Sequence, residues 1–132
     1  MGAVINLHNI GDVHFRLGDA ARAWAVFKRS HDLAQASGFD RGVIMNAAYM
    51  AFLEGQRGAE DTDARLEAIA AKADKFSHSE TRVNARLLLG KHRLGDGDED
   101  GARRIWEEGI QVAVELGSPQ LAHALQASLA EL

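Results

Sequence analysis

The chain has 132 residues, a length that allows one compact domain, and 46% of them are hydrophobic. Its 15 Lys and Arg residues against 19 Asp and Glu residues give a net charge of -4, which argues against binding nucleic acid or an acidic membrane through excess positive charge. No apolar run reaches the ~18 residues of a membrane helix. The absence of cysteine excludes disulfides and thiolate metal sites, and it favours a cytoplasmic location.

Apolar residues recur every three to four positions and no stretch alternates strictly, so the pattern predicts an all-α fold. Asp19 and Asp98 stand where a side-chain oxygen would cap a helix start, and Ser118 followed by Pro119 is a further start signal. Seven helices are predicted, over residues 4–17, 19–38, 40–55, 62–75, 77–94, 98–117 and 118–132. The loosest loop is expected at residues 56–61, and Ser77 with Glu80 has the spacing of a capping box.

An internal repeat is visible at a shift of 79 residues, which places Trp106 where Phe27 stands. Six of the 28 positions from Gly11 to Gly38 are identical at this shift, against roughly two expected by chance. The identical pairs are Gly11/Gly90, Gly18/Gly97, Asp19/Asp98, Ala23/Ala102, Ala34/Ala113 and Gly38/Gly117. Since a helix–turn–helix unit needs far fewer than 79 residues, a middle copy of about 39 residues is implied.

The middle copy is aligned with the first by a shift of 37 residues. This shift pairs Asn9 with Asn46, Phe15 with Phe52 and Gly18 with Gly55. The predicted repeats are residues 4–38, 40–76 and 79–117, followed by a capping helix at 118–132, all within one domain.

At these residues the chain resembles the tetratricopeptide repeat family. The family pattern appears as Leu7, Ile10–Gly11, His14, Ala23 and Phe27 in the first copy, and as Arg86, Leu89–Gly90, Arg93, Ala102 and Trp106 in the last. The resemblance is to the longer repeats of bacterial regulatory and signalling proteins. It implies a right-handed superhelical stack of about three antiparallel helix pairs plus a C-terminal capping helix. The predicted first helix begins within a few residues of Met1 without a cap ahead of it, which suggests a segment of a longer protein.

In a stack of this kind the first helix of each pair lines a concave face, which suits a peptide. The predicted binding groove consists of His8, Asn9, Asp12, Met45, Asn46, Tyr49 and Lys91. Tyr49 would supply an apolar anchor, and Asp12 with Lys91 would supply polar selectivity. The acidic Asp12 argues against a receptor for peptide carboxylates. The alternative for these residues is that they pack neighbouring first helices together.

An acidic stretch matches the calcium-loop pattern through Asp96, Asp98, Asp100, Gly101 and Glu107. The competing interpretation is that Asp98 or Asp100 caps the next helix, whose positive end favours acids. The repeat register favours the cap, because it places Glu107 on a formed helix.

No other pattern indicates catalysis. The six histidines contain no His-x-x-x-His pair, and no nucleophile elbow, P-loop or dinucleotide fingerprint occurs. We therefore predict a non-catalytic protein–protein or peptide interaction module without cofactor or metal. One alternative is a homodimer formed through the last helix at Ala122, Leu125 and Leu129. The other is a calcium-responsive module.

Overall fold

The computed structural model describes residues 1–76 and 80–132. In this part of the chain it contains seven α-helices and no strand, which confirms the predicted all-α class. The helices are α1 (Gly2–Arg16), α2 (Ala20–Ala36), α3 (Asp40–Gln56), α4 (Thr62–Ala73), α5 (Thr81–Gly95), α6 (Glu99–Glu115) and α7 (Pro119–Ala130). None of these helices is both long and apolar enough to cross a membrane. Ser77 of the predicted capping box and the predicted repeat start at 79 lie outside the described residues.

Two of the predicted helix caps are confirmed. The Asp19 carboxylate accepts a hydrogen bond from the backbone N–H of Arg22 at 3.2 Å, and that of Asp98 accepts one from Gly101 at 2.8 Å. Both bonds satisfy N–H groups that have no partner within the first helical turn. Pro119 begins α7, where its missing N–H removes no helical hydrogen bond.

Glycines with positive φ mark the turns between helices. They are Gly18, Gly38, Gly58, Gly97 and Gly117, with φ from 68 to 100°. A side chain would strain the backbone at these positions. Gly58 ends α3 in the way that Gly18 ends α1, whereas Gly55 lies inside α3. The predicted shift of 37, which paired Gly18 with Gly55, is therefore wrong by three residues, and the turns correspond at a shift of 40.

Successive helices pack against one another, and α3 also packs on α5 and α5 on α7. Glycines allow the closest approaches. A Cβ on Gly11 would come within 2.8 Å of the Phe27 ring, and a Cβ on Gly90 would meet the Trp106 indole. Phe27 and Trp106 are both buried, at 0% and 1% exposure. The first and last copies therefore share one close contact, as the shift of 79 predicts.

Two arginine clusters join α4 to its neighbours. Arg86 donates to the two carboxylate oxygens of Asp74 at 2.9 and 2.8 Å, and Arg93 contacts those of Asp63 at 2.9 and 3.2 Å. Two parallel charge-assisted hydrogen bonds fix both distance and orientation. Burial alone would raise the pKa of Asp74, but the arginine hydrogen bonds outweigh it and lower the pKa. These charged groups are therefore committed to holding the helices together.

The apolar face of α7 is used inside the molecule. Ala122 and Leu125 are buried in the main hydrophobic cluster, and Leu129 packs against it. Gly109 of α6 makes room for Leu125, because a Cβ there would lie 2.9 Å from the leucine side chain. The predicted homodimer contact through Ala122 and Leu125 is therefore wrong, since the chain's own helices cover both residues.

Candidate functional site

A groove of about 570 Å³ is lined by residues from alternate helices. The lining residues are Ile5, His8, Asn9, Asp12 and Arg16 of α1, Arg41, Met45 and Tyr49 of α3 with Phe39 before it, Thr81 and Asn84 of α5 with Glu80 before it, and Leu121 of α7. The α1 residues recur every three to four positions, so they form one continuous side of that helix. Polar side chains outnumber apolar ones in this lining, so the groove offers hydrogen-bonding groups beside apolar surface.

A buried hydrogen-bond network lies beneath the groove. Asn46 Nδ2 donates to Ser30 Oγ and to the Gly42 carbonyl, both at 2.8 Å. Ser30 Oγ donates in turn to the Val4 carbonyl at 2.7 Å. Asn46 Oδ1 lies 2.9 Å from His8 Nδ1. This network connects α1, α2 and α3, and it fixes the position of the His8 ring.

The network also determines where His8 carries its proton. The Gly42 carbonyl can only accept, so the amide nitrogen of Asn46 faces it and the amide oxygen faces His8. His8 therefore donates from Nδ1, and its neutral ring keeps Nε2 as an acceptor. Burial lowers the pKa of His8 below its ordinary value of 6.5, and it outweighs the Asn46 hydrogen bond and the Asp12 carboxylate, which act in the opposite direction. The ring is uncharged at neutral pH.

Aromatic rings complete the floor around Tyr49. Its ring stacks on Phe27 with centroids 4.8 Å apart, and it meets His8 and Phe15 edge-on, each at 5.3 Å. Contacts of this kind contribute about 0.5–1.5 kcal/mol each beyond the buried area. Burial, assisted by the Asp12 carboxylate, raises the pKa of Tyr49 to about 12. Its hydroxyl therefore stays protonated at physiological pH and can donate a hydrogen bond.

Charged side chains of both signs border the groove. Asp12 and Arg16 form an ion pair at 3.0 Å, with side chains 24% and 78% exposed. Because exposed pairs contribute only roughly 0–1 kcal/mol, Arg16 can leave Asp12 for another partner at small cost. Glu80 and Arg41 add one charge of each sign. The lining as a whole is close to neutral, so it favours directed polar contacts over attraction by net charge.

The structure brings together five of the seven predicted groove residues and excludes two. His8, Asn9, Asp12, Met45 and Tyr49 line the groove. Asn46 lies beneath it at 0% exposure, where its side chain holds the helices and cannot touch a ligand. Lys91 is exposed on α5 outside the lining, because it lies seven residues, roughly 10 Å along the helix, beyond Asn84. These two assignments are therefore corrected.

The sequence prediction missed the rest of the lining, which includes Thr81 and Asn84 of α5 and Leu121 of α7. The repeat contained a signal for Asn84, since the shift of 79 carries Ile5, a lining residue of α1, to that position. Leu121 had no such signal. Its contribution depends on where α7 lies relative to α1, which spacing along the chain does not specify.

The acidic stretch behaves as a helix start. Asp98 caps α6, and Asp100 and Glu107 are both exposed positions of that helix. A helix spaces these carboxylates along its axis, whereas a calcium loop must wrap them round one ion. Among the described residues no group of three His, Cys, Asp or Glu side chains is placed to hold a metal ion.

Comparison with protein-family models, with curated proteins and with solved structures finds no match for this chain. The interpretation of the groove therefore depends on its own geometry and chemistry.

Proposed function

We propose that this chain is a non-catalytic interaction module that binds a peptide segment of a partner protein in the groove between α1, α3 and α5. The observation that carries the proposal is the combination of a rigid floor with exposed polar walls. Tyr49 and His8 are held by ring contacts and by the Asn46 hydrogen bonds, so they offer a surface that needs little ordering on binding.

An extended peptide with one apolar side chain suits the lining best. Asn9 and Asn84 each offer an amide donor and an amide acceptor, from two different helices, which is what a peptide backbone requires. Met45, Ile5 and Leu121 provide apolar surface for a side chain. The mixed charges of the border do not favour a strongly acidic or strongly basic ligand.

The wider assignment follows from the repeat. We infer that the helix pairs stack as in tetratricopeptide repeat proteins and that the module serves a bacterial regulatory or signalling protein in the cytoplasm. The repeated glycine–aromatic contacts at Gly11–Phe27 and Gly90–Trp106 support this inference, as does a groove lined by alternate helices. The first copy alone lacks the full groove, since α5 and α7 contribute to it.

A displayed random-peptide library tests the proposal. The enriched peptides are then titrated into the purified chain. We expect Asn9→Ala and Asn84→Ala each to weaken binding about five- to tenfold, the effect of losing one or two hydrogen bonds. Shifts of 1H–15N resonances should cluster at residues of α1, α3 and the first turn of α5.

Lys91→Ala is the matched control, because Lys91 lies on the same helix as Asn84 and outside the groove. Its affinity for the selected peptides should equal that of the unmodified chain. Circular dichroism checks that each variant is folded. Failure to enrich any peptide, or binding that Lys91→Ala weakens while Asn84→Ala does not, would overturn the proposal.

A further inference from the structure

A second surface lies on a different face of α1 from the groove. Ile10, Val13 and Leu17 are spaced three and four residues apart and are 48%, 56% and 76% exposed. Residues at this spacing form one stripe along a helix. Asn6, also exposed, continues the stripe toward the amino terminus. We call these four residues the outer stripe.

The corresponding face of α3 is covered by α2. The turns correspond at a shift of 40, and this shift carries Asn6, Ile10 and Val13 to Asn46, Met50 and Leu53. Leu53 is 3% exposed and packs with Ala23 and Phe27 of α2, with Met50 beside them. Asn46 donates a hydrogen bond to Ser30 of α2. Every one of these contacts is made to the helix that precedes α3.

The corresponding face of α5 is covered in the same way. The shift of 79 carries Asn6 and Ile10 to Ala85 and Leu89, and both are fully buried. Leu89 belongs to the hydrophobic cluster that contains Leu66 of α4, the helix that precedes α5. In α3 and α5 a preceding helix therefore packs on the positions equivalent to Asn6 and Ile10, whereas Arg57 and Asp96, the equivalents of Leu17, are exposed.

Glycine provides an independent observation. Gly42 lets α2 approach α3, because a Cβ there would lie about 3.0 Å from the Ala34 side chain. The shift of 40 places Gly2 at the same position of α1. A Cβ on Gly2 would meet nothing within 4 Å in the described part of the chain. The space that Gly42 leaves for α2 therefore exists at Gly2 as well, without a helix in it.

Two of the helices that pack on the helix after them, α2 and α6, share a sequence pattern, whereas α4 buries Thr62, Leu66, Ala70 and Ala73 and has no aromatic residue there. The inner face of α2 carries Ala23, Phe27, Ser30 and Ala34, and that of α6 carries Ala102, Trp106, Gly109 and Ala113. In both helices the pattern is an alanine, an aromatic residue four positions later, a small residue three positions after that, and a second alanine after four more positions. The exposed face of α7 carries alanine, glutamine, Pro119 and His123 and no large apolar side chain, so a second copy docking by α7 would leave the outer stripe unfilled.

We propose that the outer stripe of α1 is the docking surface for a partner helix with the α2 pattern, Ala-x-x-x-aromatic-x-x-Ser-x-x-x-Ala. The aromatic residue packs on Val13, as Phe27 packs on Leu53. The serine accepts a hydrogen bond from Asn6, as Ser30 does from Asn46. The first alanine lies beside Val13, and the last one lies over Gly2.

A chimera tests this docking directly. In it a second copy of residues 20–41 replaces Met1, so that the added helix precedes Gly2 with the spacing that α2 has from Gly42. We expect the Tm to rise by about 5 °C. Val13→Asp should remove most of that rise in the chimera, yet change the Tm of the original chain by less than about 2 °C, because Val13 is exposed there.

Val114→Asp is the matched control, since Val114 is 66% exposed on α6. It should have the same small effect in both backgrounds. A labelled peptide with the sequence of residues 20–36 supplies a second measurement, in which Val13→Asp weakens binding at least fivefold and Val114→Asp does not.

The absence of both the Tm rise and the peptide binding would overturn the proposal. So would a concentration-dependent dimer of the original chain, seen by sedimentation velocity and abolished by Val13→Asp, because the occupant of the stripe would then be a second copy of the chain.

Discussion

Two junctions between helices lie at equivalent positions of the repeat, and one of them is polar whereas the other is apolar. Where α1, α2 and α3 meet, His8, Ser30 and Asn46 form a buried hydrogen-bond network. The shift of 79 carries these residues to Leu87, Gly109 and Leu125, which lie where α5, α6 and α7 meet. Asn46 and Leu125 are both fully buried, and each contacts the preceding even-numbered helix.

The comparison distinguishes the contacts that helix packing requires from those that the groove requires. Leu125 packs directly on Gly109, so an apolar side chain alone can fill this junction. The polar junction does more, because hydrogen bonds are directional and hold the His8 ring in one orientation beside Tyr49. We interpret the apolar junction as a source of stability and the polar junction as the support of the groove.

The largest expected effect is at the apolar junction. Leu125→Ala leaves a cavity in the main cluster and should lower the free energy of unfolding by about 3 kcal/mol. Urea unfolding measures the loss. Leu94→Ala is the control, since Leu94 is 42% exposed and its truncation should cost below about 1 kcal/mol. Equal losses for the two variants would contradict the assignment of Leu125 to the core.

The next effect is at the polar junction. Asn46→Leu leaves the Nδ1 hydrogen of His8 without its partner and removes the amide hydrogen bonds to Ser30 and the Gly42 carbonyl, so it should destabilise the chain by about 2 kcal/mol. The triple variant His8→Leu, Ser30→Gly, Asn46→Leu copies the apolar junction, so it should recover most of that loss. Urea unfolding of both variants makes the comparison. A triple variant less stable than Asn46→Leu would show that the two junctions are not equivalent.

A smaller loss of stability is expected at the two equivalent helix caps. Asp19→Ala and Asp98→Ala should each cost about 1 kcal/mol, the usual value of an N-cap side chain. Asp98 has the shorter hydrogen bond, 2.8 Å against 3.2 Å, so its loss should be the greater of the two. Thermal unfolding ranks them, with Asp100→Ala as a nearby acid that makes no cap. A larger loss for Asp100→Ala would contradict the cap assignment.

The smallest effect is a pH dependence that only the polar junction confers. The pKa of His8 is lowered on folding, so the unfolded chain binds more protons once the pH falls below 6.5. The stabilisation is complete above pH 6.5 and declines as the pH falls toward the lowered pKa. Unfolding free energies measured between about pH 7.5 and 5.5, one unit either side of the ordinary histidine value, should therefore fall more steeply for the original chain than for the triple variant. Parallel profiles would show that His8 is not the group responsible.

Local signals made much of the fold predictable. The three- to four-residue spacing of apolar side chains, the turn glycines and the two aspartate caps act within a few residues of one another, so they are readable from sequence. The shift of 79 also placed Trp106 at the position of Phe27, and each ring packs against the equivalent glycine, Gly90 or Gly11. The middle copy was misaligned because Gly55 and Gly58 are both glycines near the helix end, and only the backbone conformation distinguishes a turn glycine from a helical one.

The candidate site was predictable only in part. Among the residues chosen by helical spacing, Asn9 of α1 and Met45 of α3 line the groove that the structure describes. Asn46 has the same spacing from its neighbours as a groove residue, yet it points toward Ser30 of α2 and is buried. A hydrogen-bond partner sixteen residues away cannot be read from periodicity, because periodicity defines a face and does not say which helix covers it.

The sequence by itself determined that this protein is helical, where its helices begin and end at caps and turn glycines, and that its first and last copies share a glycine–aromatic contact. Only the tertiary structure decided which sides of α1, α3, α5 and α7 meet at the groove, that Lys91 lies beyond it, and that the face of α7 is covered while the outer stripe of α1 is not. The physical reason is range: helix formation depends on residues three to four apart, whereas burial depends on which helices come together.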